Sequence, residues 1–329
     1  MGRGQLFFFK AVILVAVLFL LWQMRVLLML FFGSILLGII GYGGSKYIAR
    51  KFNIKYEYGA IMFLFLVVGL VSIFLLLALP NVSDKSADLF TELPERLESV
   101  ENSISEFTGV PVNISENIDG GNLFDFVKNY FPDVLNFVTG AFAMLVLALY
   151  LIVDYKTYRN IIYYFFPKKS AEPIIERVNH DVQIWFLGQL ISMSIVGILV
   201  VIGLLIIGME FAFVLGLFAG ILEFIPTLGP IIAFIPIVLI ALSQSGTMAL
   251  YAATLYLIVQ TIEGYFLTPM VQQRLVSVPA VIQLGIQLVF GILFGLVGIF
   301  FAVPFYVFAR AIYRGLREQD LVKRVGYSN

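Results

Sequence analysis

Long apolar blocks alternate with short polar ones along the chain. Residues 6–22, 26–42, 58–79, 134–153, 185–208 and 248–267 each approach the roughly 20 apolar residues that carry a helix across a bilayer core. Six membrane-spanning helices are predicted there. Two further apolar stretches are interrupted. Residues 211–242 hold Glu223, followed at once by Pro226, Gly229 and Pro230. Residues 281–311 are broken by Gly291, Gly295, Gly298 and Pro304. Proline removes an N–H and interrupts a helix. In lipid an unpaired backbone group costs several kcal/mol, so a chain breaks at that depth only where protein or a water-lined cavity takes over the pairing. Paired interrupted segments are the sequence pointer to a transport site.

The polar blocks fix an orientation. Lys46, Arg50, Lys51 and Lys55 follow the second span, Lys156, Arg159, Lys168, Lys169 and Arg177 the fourth, and Arg310, Arg314, Arg317, Lys323 and Arg324 end the chain. Lys and Arg gather on the cytoplasmic side. Both termini are therefore expected in the cytoplasm, and the acidic block 81–133 outside. That block is a small helical insert: Leu89, Leu93, Leu97, Val100, Ile104 and Phe107 recur every three or four residues, with Ser83 or Asp84 as a cap. The stripe serves packing within the protein or, at near-heptad spacing, a contact between subunits. Asn113-Ile114-Ser115 matches a glycosylation sequon, a pattern frequent by chance.

Cytoplasmic termini require an even number of crossings. Each arm of the broken stretches is about a dozen residues, short of a full span. The expected architecture is all-α: about six transmembrane helices plus two re-entrant helical hairpins entering from opposite faces, with eight spans as the alternative. The chain then divides into helices 1–3 at 1–80, the insert at 81–133 and spans four and five with their basic loop at 134–210. The first broken segment follows at 211–243, a span at 248–268, the second broken segment at 281–311 and a basic tail at 312–329. Gly220-Ile221-Leu222 and Gly291-Ile292-Leu293 open similar stretches before the two breaks.

Composition narrows the chemistry. Of 329 residues, 60% are hydrophobic and 13% charged, against about 45–50% and about 25% in soluble domains. The net charge of zero suggests no nucleic-acid partner. Without cysteine there is no disulfide, thiol catalysis or thiolate metal site, and one histidine, His180, builds no histidine cluster; a solvated loop position is expected for it. No cofactor is implied. G-x-x-x-x-G-K-[ST], H-E-x-x-H and G-x-S-x-G are all absent, which argues against an ATP-driven pump or a protease. Lys10 precedes an apolar run with no small-residue cleavage site behind it, so the first segment is expected to stay as a membrane helix.

The stretch EFIPTLGP, Glu223–Pro230, resembles the signature of the autoinducer-2 exporter (AI-2E, PerM-like) family. Tyr150-Leu151-Ile152-Val153-Asp154 with Arg159 and Pro167, Gly188-Gln189, Gly295-x-x-Gly298 before Ala302-x-Pro304, and Leu93-Pro94 in the acidic insert are similar to further pieces of it. The resemblance covers nearly the whole chain. It departs at Gly41-Tyr42-Gly43-Gly44, where an Asn-Pro exit is expected. It implies a multispanning transporter in the cytoplasmic membrane, assembled as a homo-oligomer (pentameric where known), whose two helical hairpins hold substrate and move in an elevator-like way. Implied substrates are autoinducer-2, a small neutral polyhydroxylated furanone, or, for some relatives, sodium or lithium exchanged for protons.

The candidate site residues are the polar ones inside apolar sequence. A carboxylate at membrane depth costs roughly 2.5–3.5 kcal/mol on insertion scales and is functional by default, which singles out Glu223. Buried, it can hold a proton; alternatively it pins the turn by accepting tip N–H groups. Thr227 caps the restarting helix or binds a substrate hydroxyl. Gln189, Gln260, Glu263, Gln283 and Gln287 offer donors and acceptors to a hydroxylated solute, or pair helices with one another. Gln283 and Gln287 share a helix face at i and i+4. Pro226, Gly229, Pro230, Gly295 and Gly298 shape the two tips. The function classes left are a secondary transporter of a small polar solute, a cation/proton antiporter using Glu223, and a membrane scaffold or intramembrane enzyme.

Overall fold

The computed structural model describes residues 3–67, 69, 139–140, 142–267, 269 and 278–326. The predicted acidic insert 81–133, its leucine stripe and its sequon lie outside them. Every regular element among the described residues is helical. In chain order these are α1 (Arg3–Gln23), α2 (Arg25–Lys51), α3 (Tyr56–Val67), α4 (Phe142–Val153), α5 (Tyr155–Phe165), α6 (Lys168–Ile206), α7 (Ala212–Leu222), α8 (Leu228–Gln244), α9 (Gly246–Ile262) and α10 (Ala280–Gly326). A π-helical turn, Glu263–Leu267, extends α9. Among the described residues four stretches are long and apolar enough to cross a membrane: α2, α6, Gly246–Leu267 and Ala280–Glu318. The polytopic all-helical class expected from the hydrophobic pattern is the one observed.

Two sequence expectations change. The basic connection after the fourth span is not a loop. Residues 155–165 form α5, and α6 already begins at Lys168. Charged residues at helical spacing fold as readily as apolar ones when side chains pair, and Arg159, Tyr163 and Glu172 tie the two helices together. His180 is consequently a helix residue, exposed as expected but not in a loop. The stretch Gly41–Gly44, where the family pattern was not met, lies inside α2, which runs on to Lys51. A Cβ at Gly41 would meet the Ile152 side chain of α4, and one at Gly44 the Phe63 ring of α3. These positions are bare so that three helices can approach.

Both broken stretches double back. Between α7 and α8 the helix is lost over residues 223–227, and the arms pack on each other. In α10 the break is a single residue, Gly295, at φ 65° and ψ −149°, a conformation only glycine adopts freely. A straight helix would put Phe290 and Phe305 about 22 Å apart; their ring centroids are 5.0 Å apart. The observed breaks fall at the predicted tips, each just after its Gly-Ile-Leu.

Two apolar cores result. The first joins Val196, Val200 and Leu204 of α6 to Leu215 and Ala219 of α7, Ala233 and Ile237 of α8 and Ala252 and Tyr256 of α9. The second joins Met29 and Leu36 of α2 to Val178, Val182 and Trp185 of α6 and Val303, Val307 and Ala311 of α10. Helix α6 belongs to both.

Candidate functional site

Glu223 ends α7 at the first tip. Its residue is only 4% exposed, and its Oε2 is buried without a hydrogen-bond partner among the described residues. Its polar neighbours are Gln260 and Glu263, reached across from α9. Gln189 of α6 donates from Nε2 to the Glu223 carbonyl, so α6 fixes the backbone of the tip while α9 faces its carboxyl group.

The turn after Glu223 is unusually tight. Leu228 N donates to the Pro226 carbonyl at 2.9 Å, closing a three-residue γ-turn on Thr227, whose φ is 71° and ψ −53°. This is the rare, strained form of that turn, and a β-branched residue at positive φ is an outlier. Such a conformation costs of order 1–3 kcal/mol and persists only where its surroundings enforce it. Thr227 occupies the capping position of α8, but its side chain makes no cap bond. Its hydroxyl instead faces Gln283 Oε1 at 3.5 Å. The capping expectation fails because the γ-turn aims the side chain away from the helix. Gly229 donates to the Ile225 carbonyl at 2.8 Å, and Pro230 falls in the first turn of α8, where no N–H is needed.

A cavity of about 720 Å³ opens beside this tip. Three of its sides are formed by Trp185, Gln189 and Ser192 of α6; Tyr256, Gln260 and Glu263 of α9 and its π-turn; and Glu223, Pro226, Thr227 and Pro230 of the first tip. Gln283, at the start of α10, closes a fourth side. The cavity thus gathers Gln189, Glu223, Pro226, Thr227, Pro230, Gln260, Glu263 and Gln283 from four separate parts of the sequence. Gln287 is not in it. That residue is fully buried behind the tip, donating from Nε2 to the Pro226 carbonyl at 2.8 Å. Gly229 lies under the turn, against the Leu222 carbonyl. Gly295 and Gly298 belong to the second turn, where Gly298 packs on Phe290 and Phe294. The first tip therefore meets the flank of the second hairpin rather than its tip, with Phe224 stacked on Phe300 at 4.2 Å.

Sequence reasoning passed over Trp185, Ser192 and Tyr256 as site residues. Tyr256 donates to the Pro230 carbonyl at 3.0 Å and anchors α9 to the tip. The available signal was periodicity: 185, 189, 192 and 256, 260, 263 each run i, i+4, i+7, one helix face. Among the described residues no group of acids and histidines has the geometry to hold a metal ion.

Apolar helices packed around a cavity that holds several polar side chains, beside two broken segments, define the class as a polytopic membrane protein. The chain belongs to the AI-2E family: the sequence model of the AI-2E family transporter matches residues 11–318. It is 30% identical over 176 residues to a Bacillus subtilis (strain 168) protein named "Putative transport protein YrrI", covering 52% of this chain and 50% of that one. The chain thus spans about half the length of that curated relative. A "Putative transport protein" of Thermotoga maritima is 24% identical over 71% of this chain and 74% of its own. "Putative permease PerM" of Escherichia coli (strain K12) is 26% identical over 73% and 69%. The family is one of transporters by name, not of enzymes.

Proposed function

We propose that the protein is a secondary transporter of a small polar solute, of the autoinducer-2 kind, across the cytoplasmic membrane, and that the cavity at the first tip is its binding site. The observation that carries this reading is the cavity itself. Its volume of about 720 Å³ lies within the usual range for small-molecule sites. Its walls combine amides, carboxyls and hydroxyls with aromatic surface, and among the described residues no Lys, Arg or His lines it. That lining suits a neutral hydroxylated solute and disfavours an anion. In this reading both broken segments are re-entrant, both termini are cytoplasmic, and the hairpins move in an elevator-like way within a homo-oligomer.

Uptake of labelled neutral polyols into liposomes tests it. Glu223→Gln keeps the shape of the side chain and should retain partial transport. Glu223→Ala should lose much more, because it removes the polar group that faces Gln260 and Glu263 in the cavity. Wild-type transport by both variants, with expression and assembly intact, would remove Glu223 from the mechanism.

A second reading is favoured by one feature. Glu223 and Glu263 face each other across the cavity, and neighbouring carboxyls share a proton or a cation more readily than they bear two charges. As a sodium or lithium/proton antiporter, the protein would move protons against these ions without any polyol flux, and Glu223→Gln would abolish coupling as fully as Glu223→Ala. The same liposomes, loaded with a pH-sensitive dye, separate the two readings.

A further inference from the structure

We propose that Gln287 is the positioning residue of a latch: the first arm of the second hairpin holds the first tip in its strained γ-turn, and the cavity opens when Thr227 relaxes. The purpose of this latch rests on the transport reading above; its test does not use transport.

The Pro226 carbonyl receives two donors. One, Leu228 N at 2.9 Å, closes the turn from within. The other, Gln287 Nε2 at 2.8 Å, comes from α10. Gln287 is 0% exposed, and its Oε1 is buried with no hydrogen-bond partner among the described residues. A buried amide with half its bonding unmet is a costly way to fill space, so its one bond is the feature to explain. That bond fixes the carbonyl about which the γ-turn closes. One helical turn earlier, Gln283 bridges the tip to its own chain: its Nε2 donates to the Val278 carbonyl at 3.2 Å and its Oε1 faces the Thr227 hydroxyl. The two glutamines occupy one face of α10, and the tip lies against that face. On its other side the tip forms the cavity wall, through Pro226 and Thr227. The turn thus stands between the latch and the cavity, and the strain at Thr227 drives it out of this shape once the latch lets go.

The chain has no cysteine of its own, so a single reporter can be read cleanly. Ser192 lines the cavity from α6 and is 7% exposed. In full-length Ser192→Cys protein in nanodiscs, the rate of labelling by a water-soluble maleimide measures opening. Adding Gln287→Leu should speed labelling by about tenfold or more, the ratio expected for loss of one buried hydrogen bond. Thr227→Val keeps the branched side chain but loses the hydroxyl facing Gln283, and should also speed it. Thr227→Gly removes the penalty for positive φ and should slow it. Gln287→Leu combined with Thr227→Gly should return to within about threefold of the parent, since a turn without strain needs no latch.

Equal rates in all variants would overturn the proposal. So would faster labelling in both Thr227 variants, or a Gln287→Leu effect that Thr227→Gly does not reverse, because a merely structural glutamine gains nothing from glycine at 227. If Gln287→Leu does not assemble, the opposite signs expected at position 227 decide alone. Absence of polyol flux in the parent protein, with these rates as expected, would sink the transport reading and spare the latch; polyol flux by the parent with flat labelling rates would do the reverse.

Discussion

Gly229 is the position at the site with least freedom. A Cβ there would run into the carbonyl of Leu222, backbone that cannot swing aside. Gly229→Ala should destabilise the protein by about 1–3 kcal/mol, the cost of overpacking, seen as a lower thermal midpoint in detergent; an unchanged midpoint would mean the turn is looser than described. Tyr256→Phe tests the opposite kind of contact. It removes only the hydroxyl that meets the Pro230 carbonyl, and should cost about 0.5–1.5 kcal/mol. The residues legible in the sequence were those that contrast with their surroundings: one acid and a few amides in apolar sequence. Tyr256 and Trp185 gave no contrast in a chain that is 15% aromatic. Gln287 was recognised as sharing a face with Gln283, but spacing along one helix says nothing about what lies opposite that face. Opposite Gln287 it is the tip's backbone and not the cavity, which only Gln283 reaches.

For the elements, hydrophobic length located the helices but not their ends. Membrane physics sets where apolar residues stop, whereas a helix continues as long as its polar residues find partners. That is why α2 runs to Lys51 and α6 starts at Lys168, well outside the apolar blocks. The breaks were legible because proline and glycine act locally. Whether a break kinks a helix or reverses it depends on contacts distant in sequence. The reversal at Gly295 can be tested directly. Phe290→Cys with Phe305→Cys should be joined within one chain by a short bifunctional thiol reagent, since the rings lie 5.0 Å apart. Absence of the cross-link, with both thiols reactive, would mean the helix runs straight. For the proposed topology, Arg274→Cys should be labelled from the cytoplasmic side, and labelling only from outside would favour eight crossings.

On the scale of the whole molecule, α1 stands apart. Its large apolar residues, among them Phe7, Phe8, Leu14, Val15 and Phe19, are exposed along its length, and its main contact is with α2. Lipid covers such a surface, and so does another copy of the chain. The proposed homo-oligomer should appear in native mass spectrometry from mild detergents; monomer alone in several of them would count strongly against it.

The membership of α6 in both apolar cores restricts how the molecule can change shape. The second core grips it through Val178, Val182 and Trp185, the first through Val196, Val200 and Leu204, and between them lie buried Gly188 and Ser192. Two bodies that share an unbroken rod cannot slide freely past one another; they either travel together, as an elevator-like movement requires, or tilt about a point on it. From Gly188 to Ile206 the rod is a lever of about 27 Å. Each degree of bend at Gly188 would carry its far end through about half an ångström, and with it the arms of the first hairpin packed there.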